Sequence, residues 1–374
     1  MMLVDFQVSL LFAALFLRVH GAPTSSKPLS KRDSIPSYAL TYAPYTYLYS
    51  GESWWQSDIS VHLQHTTPEV DYTSLGYQAT VETLDSVPSD AYLTSDDNVE
   101  DNPAWLLSTS NKPDSSGYSP APATIICVEK DGGIVDAFYF YFYSYNHGNT
   151  VLGLVFGNHV GDWEHSMVRF VNGSPEYVYL SAHSGGTSYT YDALASQNGR
   201  AVTYVATGTH ANYATAGQQD YTLPFGLLHD TTDAGFFWDV TKNFRGFWYD
   251  VSSGDFSSAG GVDVGGSEQV SEGVSWLDWL GFWGDEQYPD SDDRQYCIFG
   301  ECHYVSGPTG PIDKDLDRTD VCPDTGDCDI QTSISSRSIE IRAGGADGTV
   351  FAEYAEEFAK FKAEVESSKA NYTI

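Results

Sequence analysis

Between residues 121 and 250 the chain runs through six strand-like segments: TIICVEK, IVDAFYFYFYSYN, VLGLVFGN, EHSMVRFV, EYVYLSAH and AVTYVAT. Turn residues separate them, and no internal repeat is present. Segments this short and this closely spaced leave room for hairpins but not for crossover helices, so the fold class is mainly β, an antiparallel β-sandwich with long loops. Abundant aromatic residues, 26 Tyr and 9 Trp among them, agree with sheet. The FYFYFY run at 138–143 reads as a core strand, because aromatic rings usually serve packing. The run WLDWLGFWG, with Trp276, Trp279 and Trp283, reads the same way, with ring presentation to a sugar or lipid as the alternative.

The flanks differ in composition. Phe6–Leu17 is an apolar run of the length of a signal-peptide core, too short to span a bilayer, so residues 1–21 are expected to be an export signal. Residues 22–32 form a Pro/Ser-rich leader that ends on the dibasic pair Lys31-Arg32, a processing site. A single β domain is expected over 33–345, with loop excursions at 84–120, 251–270 and 285–345. Over 346–374, Phe351, Tyr354, Ala355, Phe358, Phe361 and Val365 recur at helical spacing and predict a C-terminal amphipathic helix and tail. Its polar face is mixed and Glu-rich rather than basic, so it is expected to pack on the domain and not on a membrane.

Charge narrows the partners. The net charge is −33, and without residues 1–32 it becomes −36, with 14 basic and 50 acidic residues. Such a field repels nucleic acid and anionic lipid. It suits an acidic protein of the secretory pathway, extracellular or in the vacuole lumen. Of five cysteines, Cys297, Cys302, Cys322 and Cys328 share one acidic, loop-like stretch. An oxidising compartment would turn them into two disulfides, with 297–302 and 322–328 as the local pairing. Cys127 lies in an apolar run and is expected to be a buried thiol. Sequons at Asn172 and Asn371 are candidate glycosylation sites.

The chemistry concentrates in GNHVGDWEH, residues 157–165. In a strand over 162–171, Asp162, Glu164, Ser166, Val168 and Phe170 share one face. The turn Asn-Gly-Ser-Pro joins this strand to Glu176–His183 in a hairpin. If Val171 pairs with Glu176, Glu164 lies opposite His183; if it pairs with Ser174, Asp162 does. Either register gathers two acids and an imidazole. Two acids at this spacing repel each other unless a cation lies between them. His159, in the loop before the strand, can fold back to join them. Asp162, Glu164, His159 and His183 are therefore the candidate metal ligands. A carboxylate-rich set with one or two imidazoles suits Ca²⁺, Mg²⁺ or Mn²⁺. Loop-borne His210 and the adjacent Trp163 are candidate ligand-binding residues. His165 points to the opposite face and reads as structural. His229-Asp230 would make an oriented base but lies in an unpatterned stretch.

GDWEH at 161–165, YLSAHSGG at 179–186 and TGTHANY at 207–213 resemble the fungal vacuolar protein sorting-associated protein 62 family. So do WWQSDISVHLQH at 54–65, GFWGD at 281–285 and GPTGP at 307–311. Together these motifs span most of residues 38–312. The name implies a genetic link to delivery of proteins to the vacuole. Within that likeness, the order DWE, SAH, TH is similar to necrosis- and ethylene-inducing-type secreted proteins, whose signature is GHRHDWE. These resemble actinoporin-type cytolysins in fold, hold a divalent cation at the acidic motif and recognise plant sphingolipid head groups. The likeness implies Asp162 and Glu164 near a cation, His183 and His210 lining the same cavity, and His159 as the first histidine of the signature. Here Gly161 stands where that signature has the histidine directly before DWE, so toxicity is not carried over.

No G-x-S-x-G elbow, P-loop or dinucleotide fingerprint is present. The reading is a divalent-cation-binding, non-catalytic module for vacuolar sorting or glycan or glycolipid recognition, with a glycan, a glycolipid or a sorted protein as partner. The alternatives are a metal-dependent hydrolase using Asp162 and Glu164, and a sorting scaffold without ligand chemistry.

Overall fold

The computed structural model describes residues 34–151, 153–220, 229–262, 273–298, 300–323 and 328–334, with Ala359, Lys360 and Ala363. All of these lie in the unit Arg32–Ile374. The leader over 1–32, the C-terminal helix expected over 346–374 (apart from those three positions) and Asn371 lie outside the described residues.

Thirteen strands build the two larger sheets. They are β1 (Tyr45–Leu48), β2 (Ala123–Lys130), β3 (Ile134–Asn146), β4 (His159–Val171), β5 (Ser174–Ala182), β6 (Gly185–Thr190), β7 (Ser196–Gln197), β8 (Arg200–Val205), β9 (Asn212–Tyr213), β10 (Phe236–Trp238), β11 (Phe244–Asp250), β12 (Asp255–Val262) and β13 (Ile330–Gln331). The large sheet runs β12-β11-β2-β3-β4-β5-β6-β13, and the small one β7-β8-β1-β10 with β9 on β8. Neither sheet closes on itself. The class is mainly β, but the pairing is mixed rather than antiparallel throughout. β2 with β11, β1 with β8, and β6 with β13 run parallel. The Gly/Ser-rich excursion expected over 251–270 also contains a strand, β12. It sits at the sheet edge, where its glycines and serines need pack on one neighbour only.

The sheets face each other across a shared core. Leu48, Val205 and Trp238 of the small sheet join Tyr139, Tyr141, Val168 and Phe170 of the large one. The opposite face of the large sheet is covered too. Phe138, Phe140, Phe142, Trp163 and Met167 pack there against Leu63, Leu84, Trp276 and Trp283. Burial on both faces explains why the central strands read as unbroken apolar runs. In β3 the alternation sorts phenylalanines to one core and tyrosines to the other. Two of the three β3 tyrosine hydroxyls in that core find partners on their side: Tyr139 donates to the Ala39 carbonyl at 2.6 Å, and Tyr141 bonds Ser166 at 2.8 Å. Trp276, Trp279 and Trp283 are packing residues, each at most 2 % exposed.

Both expected disulfides are present, Cys297–Cys302 and Cys322–Cys328. Cys127 is a buried free thiol. Asn172 is exposed in the β4–β5 turn at φ 51°.

Candidate functional site

The first half of β4 lies at one end of the large sheet, where β3 runs out and β5 turns into β6. The period of two puts Asp162 and Glu164 on the face of Ser166, Val168 and Phe170, toward the small sheet. Both acids are buried. Gly161 before them has φ 66°, and a Cβ there would stand 2.1 Å from the Trp283 carbonyl oxygen. No side chain fits, which is why the histidine of the DWE signature has no counterpart at this position.

The hairpin follows one of the two registers anticipated, Val171 opposite Ser174, but only at its start. A shift between Pro175 and Tyr177 puts Leu180 opposite Ser166. Continued through 183, that register would turn His183 away from the acids. The strand ends at Ala182 instead. His183 adopts φ 57°, donates its backbone N–H to Glu164 Oε1 at 3.2 Å, and sets its ring Nε2 2.8 Å from Asp230 Oδ2. The Ser181 hydroxyl donates to Glu164 Oε2.

His210 arrives from the loop after β8, also left-handed at φ 56°. Its ring lies flat on Tyr143, with centroids 3.6 Å apart and planes 3° from parallel. Nδ1 is 2.9 Å from Asp162 Oδ2, and Nε2 is 3.0 Å from the Trp54 carbonyl oxygen. Both partners are acceptors, so both ring nitrogens donate and His210 is an imidazolium. Burial alone would lower its pKa. The hydrogen bond to Asp162 and the charge of Glu52 outweigh it, and the pKa is raised. His183 behaves alike: burial opposes protonation, Asp230 favours it more strongly, and the pKa is raised. His159 goes the other way. Burial lowers its pKa, and Nδ1 donates to the Gly161 carbonyl at 2.6 Å, which leaves Nε2 as the lone-pair nitrogen of a neutral ring.

Glu164 is the strained group electrostatically. Burial, then the like charge of Asp162, pushes its carboxyl up to about 8. Two further buried acids complete the site. Glu52 accepts the backbone N–H groups of Ser53, Trp54 and Gly208. Asp230 accepts from His183, Asn149, Thr209 and Tyr213. The Tyr143 hydroxyl, whose pKa is raised by burial and by Glu52, Asp162 and Glu164, is buried without a hydrogen-bond partner.

The candidate residues therefore separate. Asp162 and Glu164 stay together. His210 is the ion-pair partner of Asp162, not a ligand-facing residue, because both its nitrogens are committed. His183 is drawn to Asp230 through Nε2. Trp163 is 2 % exposed and packs against Phe142 and Trp283 on the other face, so its ring is a core element. Sequence reasoning missed Glu52 and Tyr143 altogether, and it considered Asp230 only beside His229. No local pattern marks these positions, since they meet the acids only through tertiary pairing.

Among the described residues, no three His, Cys, Asp or Glu side chains are already grouped to hold a metal. The donor set still fits a hydrated cation. Mg²⁺-like ions bind through one or two carboxylates and keep several waters, and the Tyr143 hydroxyl, on the residue paired across β3 and β4 with Asp162, is a buried polar atom without a protein partner. Asp162 and Glu164 would hold the ion.

A family model for vacuolar protein sorting-associated protein 62 matches residues 139–289, which include Asp162, Glu164, Asp230, His183 and His210 but not Glu52. The chain is 37 % identical over 327 residues to the putative vacuolar protein sorting-associated protein TDA6 of Saccharomyces cerevisiae, covering 77 % of this chain and 68 % of the relative. It is 35 % identical over 334 residues to vacuolar protein sorting-associated protein 62 of the same yeast, covering 79 % and 69 %. Among solved structures it is similar to necrosis and ethylene inducing protein 2 from the agent of cocoa's witches' broom disease, at 14 % identity and a TM-score of 0.27, over 49 % of this chain and 70 % of that one. NLPPya in complex with glucosamine follows at 12 % identity and a TM-score of 0.24, over 58 % and 72 %. Superpositions this slight carry no argument about ligands. Sequence identity over more than two thirds of both yeast relatives does decide kinship: the chain belongs to the vacuolar protein sorting-associated protein 62 family.

Proposed function

We propose that this chain is a secretory-pathway module of its family that binds a divalent cation at Asp162 and Glu164 and uses it, without catalysis, to dock a glycan, a glycolipid or a sorted protein. One observation carries the reading. Four buried carboxylates, Glu52, Asp162, Glu164 and Asp230, outnumber the basic groups set against them: His183 and His210, each paired with one acid, and the Lys314 ammonium, whose charge reaches Glu164 without an ion pair. Buried charge without compensation is costly, and the raised pKa of Glu164 expresses that cost. A divalent cation would offset the excess negative charge and bring waters able to orient a hydroxylated ligand.

The commitment of both His210 ring nitrogens, to Asp162 and to the Trp54 carbonyl, supports the non-catalytic reading, because it withdraws that imidazole from general-base work. The test is calorimetric titration with Ca²⁺, Mg²⁺ and Mn²⁺. Binding by the parent, lost in Glu164→Gln and in Asp162→Asn, is expected. Equal binding by parent and variants would discard these ligands. Cation-dependent hydrolysis of ester or phosphate probes would instead favour the hydrolase.

A further inference from the structure

A second opening lies against the other side of Glu164. The ends of β4 and β5 and the segment 313–323 enclose a cleft of about 170 Å³. Three groups on its wall lack the partners their chemistry calls for. His165 is 3 % exposed, and neither ring nitrogen has a hydrogen-bond partner. Its ring is held by Phe138, Phe140 and Tyr179, at centroid distances of 5.8, 4.9 and 5.5 Å. The Lys314 ammonium, half-buried, makes no ion pair or hydrogen bond among the described residues. Among the described residues, Glu164 has a hydroxyl and a backbone amide for hydrogen-bond partners and no ion pair with a basic side chain, although the charges of His183 and Lys314 reach it.

The wall itself is firmly set. Arg318 is 1 % exposed, lies over the Phe138 and Tyr179 rings, and spends its guanidinium on the carbonyls of Lys314, Asp315 and Val321. Lys314 is therefore carried on a braced segment. Asp313 and Asp315 stand on the same wall, the first exposed and the second half-buried.

A buried carboxylate and an ammonium that face one cleft without touching each other match a ligand that carries both opposite charges. The unpaired imidazole adds a donor and an acceptor. A cavity of about 150 Å³ holds a molecule the size of benzene, so the space suits a compound with a small side chain. We propose that this cleft binds a free α-amino acid, its carboxylate at Lys314, its ammonium at Glu164, and His165 against its polar edge. Because Glu164 is shared with the proposed cation site, titrations in EDTA keep the two readings apart.

The experiment is calorimetry with L-alanine, L-alaninamide, which lacks the carboxylate, and L-lactate, which lacks the ammonium. L-alanine is expected to bind at least about ten-fold more tightly than either analogue. Lys314→Ala, at a half-exposed position, should weaken L-alanine at least about ten-fold while leaving Mn²⁺ binding and the thermal midpoint unchanged. The His165 ring nitrogens should shift in ¹⁵N spectra on addition of L-alanine. Equal affinity for the three probes, no heat with L-alanine, or full binding by Lys314→Ala would overturn the assignment. Loss of Mn²⁺ binding in an L-alanine-competent protein would instead strike only the cation reading.

Discussion

Glu164→Gln is the most direct probe of the buried charge imbalance. The substitution keeps the shape of the side chain and imitates the protonated acid. Glutamine can still accept from the His183 amide and donate to the Ser181 hydroxyl oxygen. An acid whose pKa rises on folding holds its proton more tightly in the folded state. Its contribution is therefore complete below the ordinary value of 4.5 and is lost as pH climbs toward about 8. At roughly 1.4 kcal/mol for each tenfold change in proton affinity, that rise corresponds to about 4 kcal/mol at pH 8. The buried amide of the variant carries its own desolvation cost, so the variant should gain about 2 kcal/mol at pH 8 and less than about 1 kcal/mol at pH 5. In a domain of this size a gain of about 2 kcal/mol raises the thermal midpoint by about 3 °C. Scanning calorimetry in EDTA at the two pH values reads it directly. A midpoint lowered at pH 8, or a difference between variant and parent that ignores pH, would refute the argument that Glu164 lacks a counter-charge.

Asp162→Asn strips the His210 imidazolium of the carboxylate it ion-pairs with, the one such contact among the described residues; a loss of about 3–5 kcal/mol is expected, and ¹⁵N spectra should show His210 doubly protonated in the parent but neutral in the variant. Gly161→Ala places a Cβ against the Trp283 carbonyl at a left-handed position, so it should cost more than about 1 kcal/mol and lower the urea midpoint. Replacing Cys322 and Cys328 together by serine opens a short loop, and the chain-entropy estimate for a loop this size is about 2 kcal/mol, measurable by urea unfolding.

How much of this could be read from the chain differs between strand and site. The period-two rule placed Asp162, Glu164, Val168 and Phe170 on one face because β4 is regular there, and it sent His165 and Trp163 to the other. The same rule brought His183 to the acids by the wrong route: the shift near Glu176 and the end of β5 at Ala182 interrupt the alternation, and a left-handed turn residue, not strand pairing, sets its amide on Glu164. The hairpin turn left two starting registers open and could not reveal that shift. His210 was recognised as loop-borne, yet its partners, Asp162 and the Trp54 carbonyl, lie 48 and 156 residues away in sequence. Asp230 and Glu52 belong to the same class: their roles come from sheet order, which local pattern does not encode. Parallel pairing of β2 with β11 was hidden for that reason too, since parallel strands need distant partners.

The sorting of rings along β3 gives the fold a means of rejecting its own errors. A slip of one position would carry Tyr139 and Tyr141 into the tryptophan layer, away from the Ala39 carbonyl and Ser166, and leave their hydroxyls with no acceptor in a dry interior. Phenylalanine and tyrosine, though nearly the same size, are therefore not interchangeable here. The oxygen atoms act as a proofreading mark that tells the central strand which way round it has been laid.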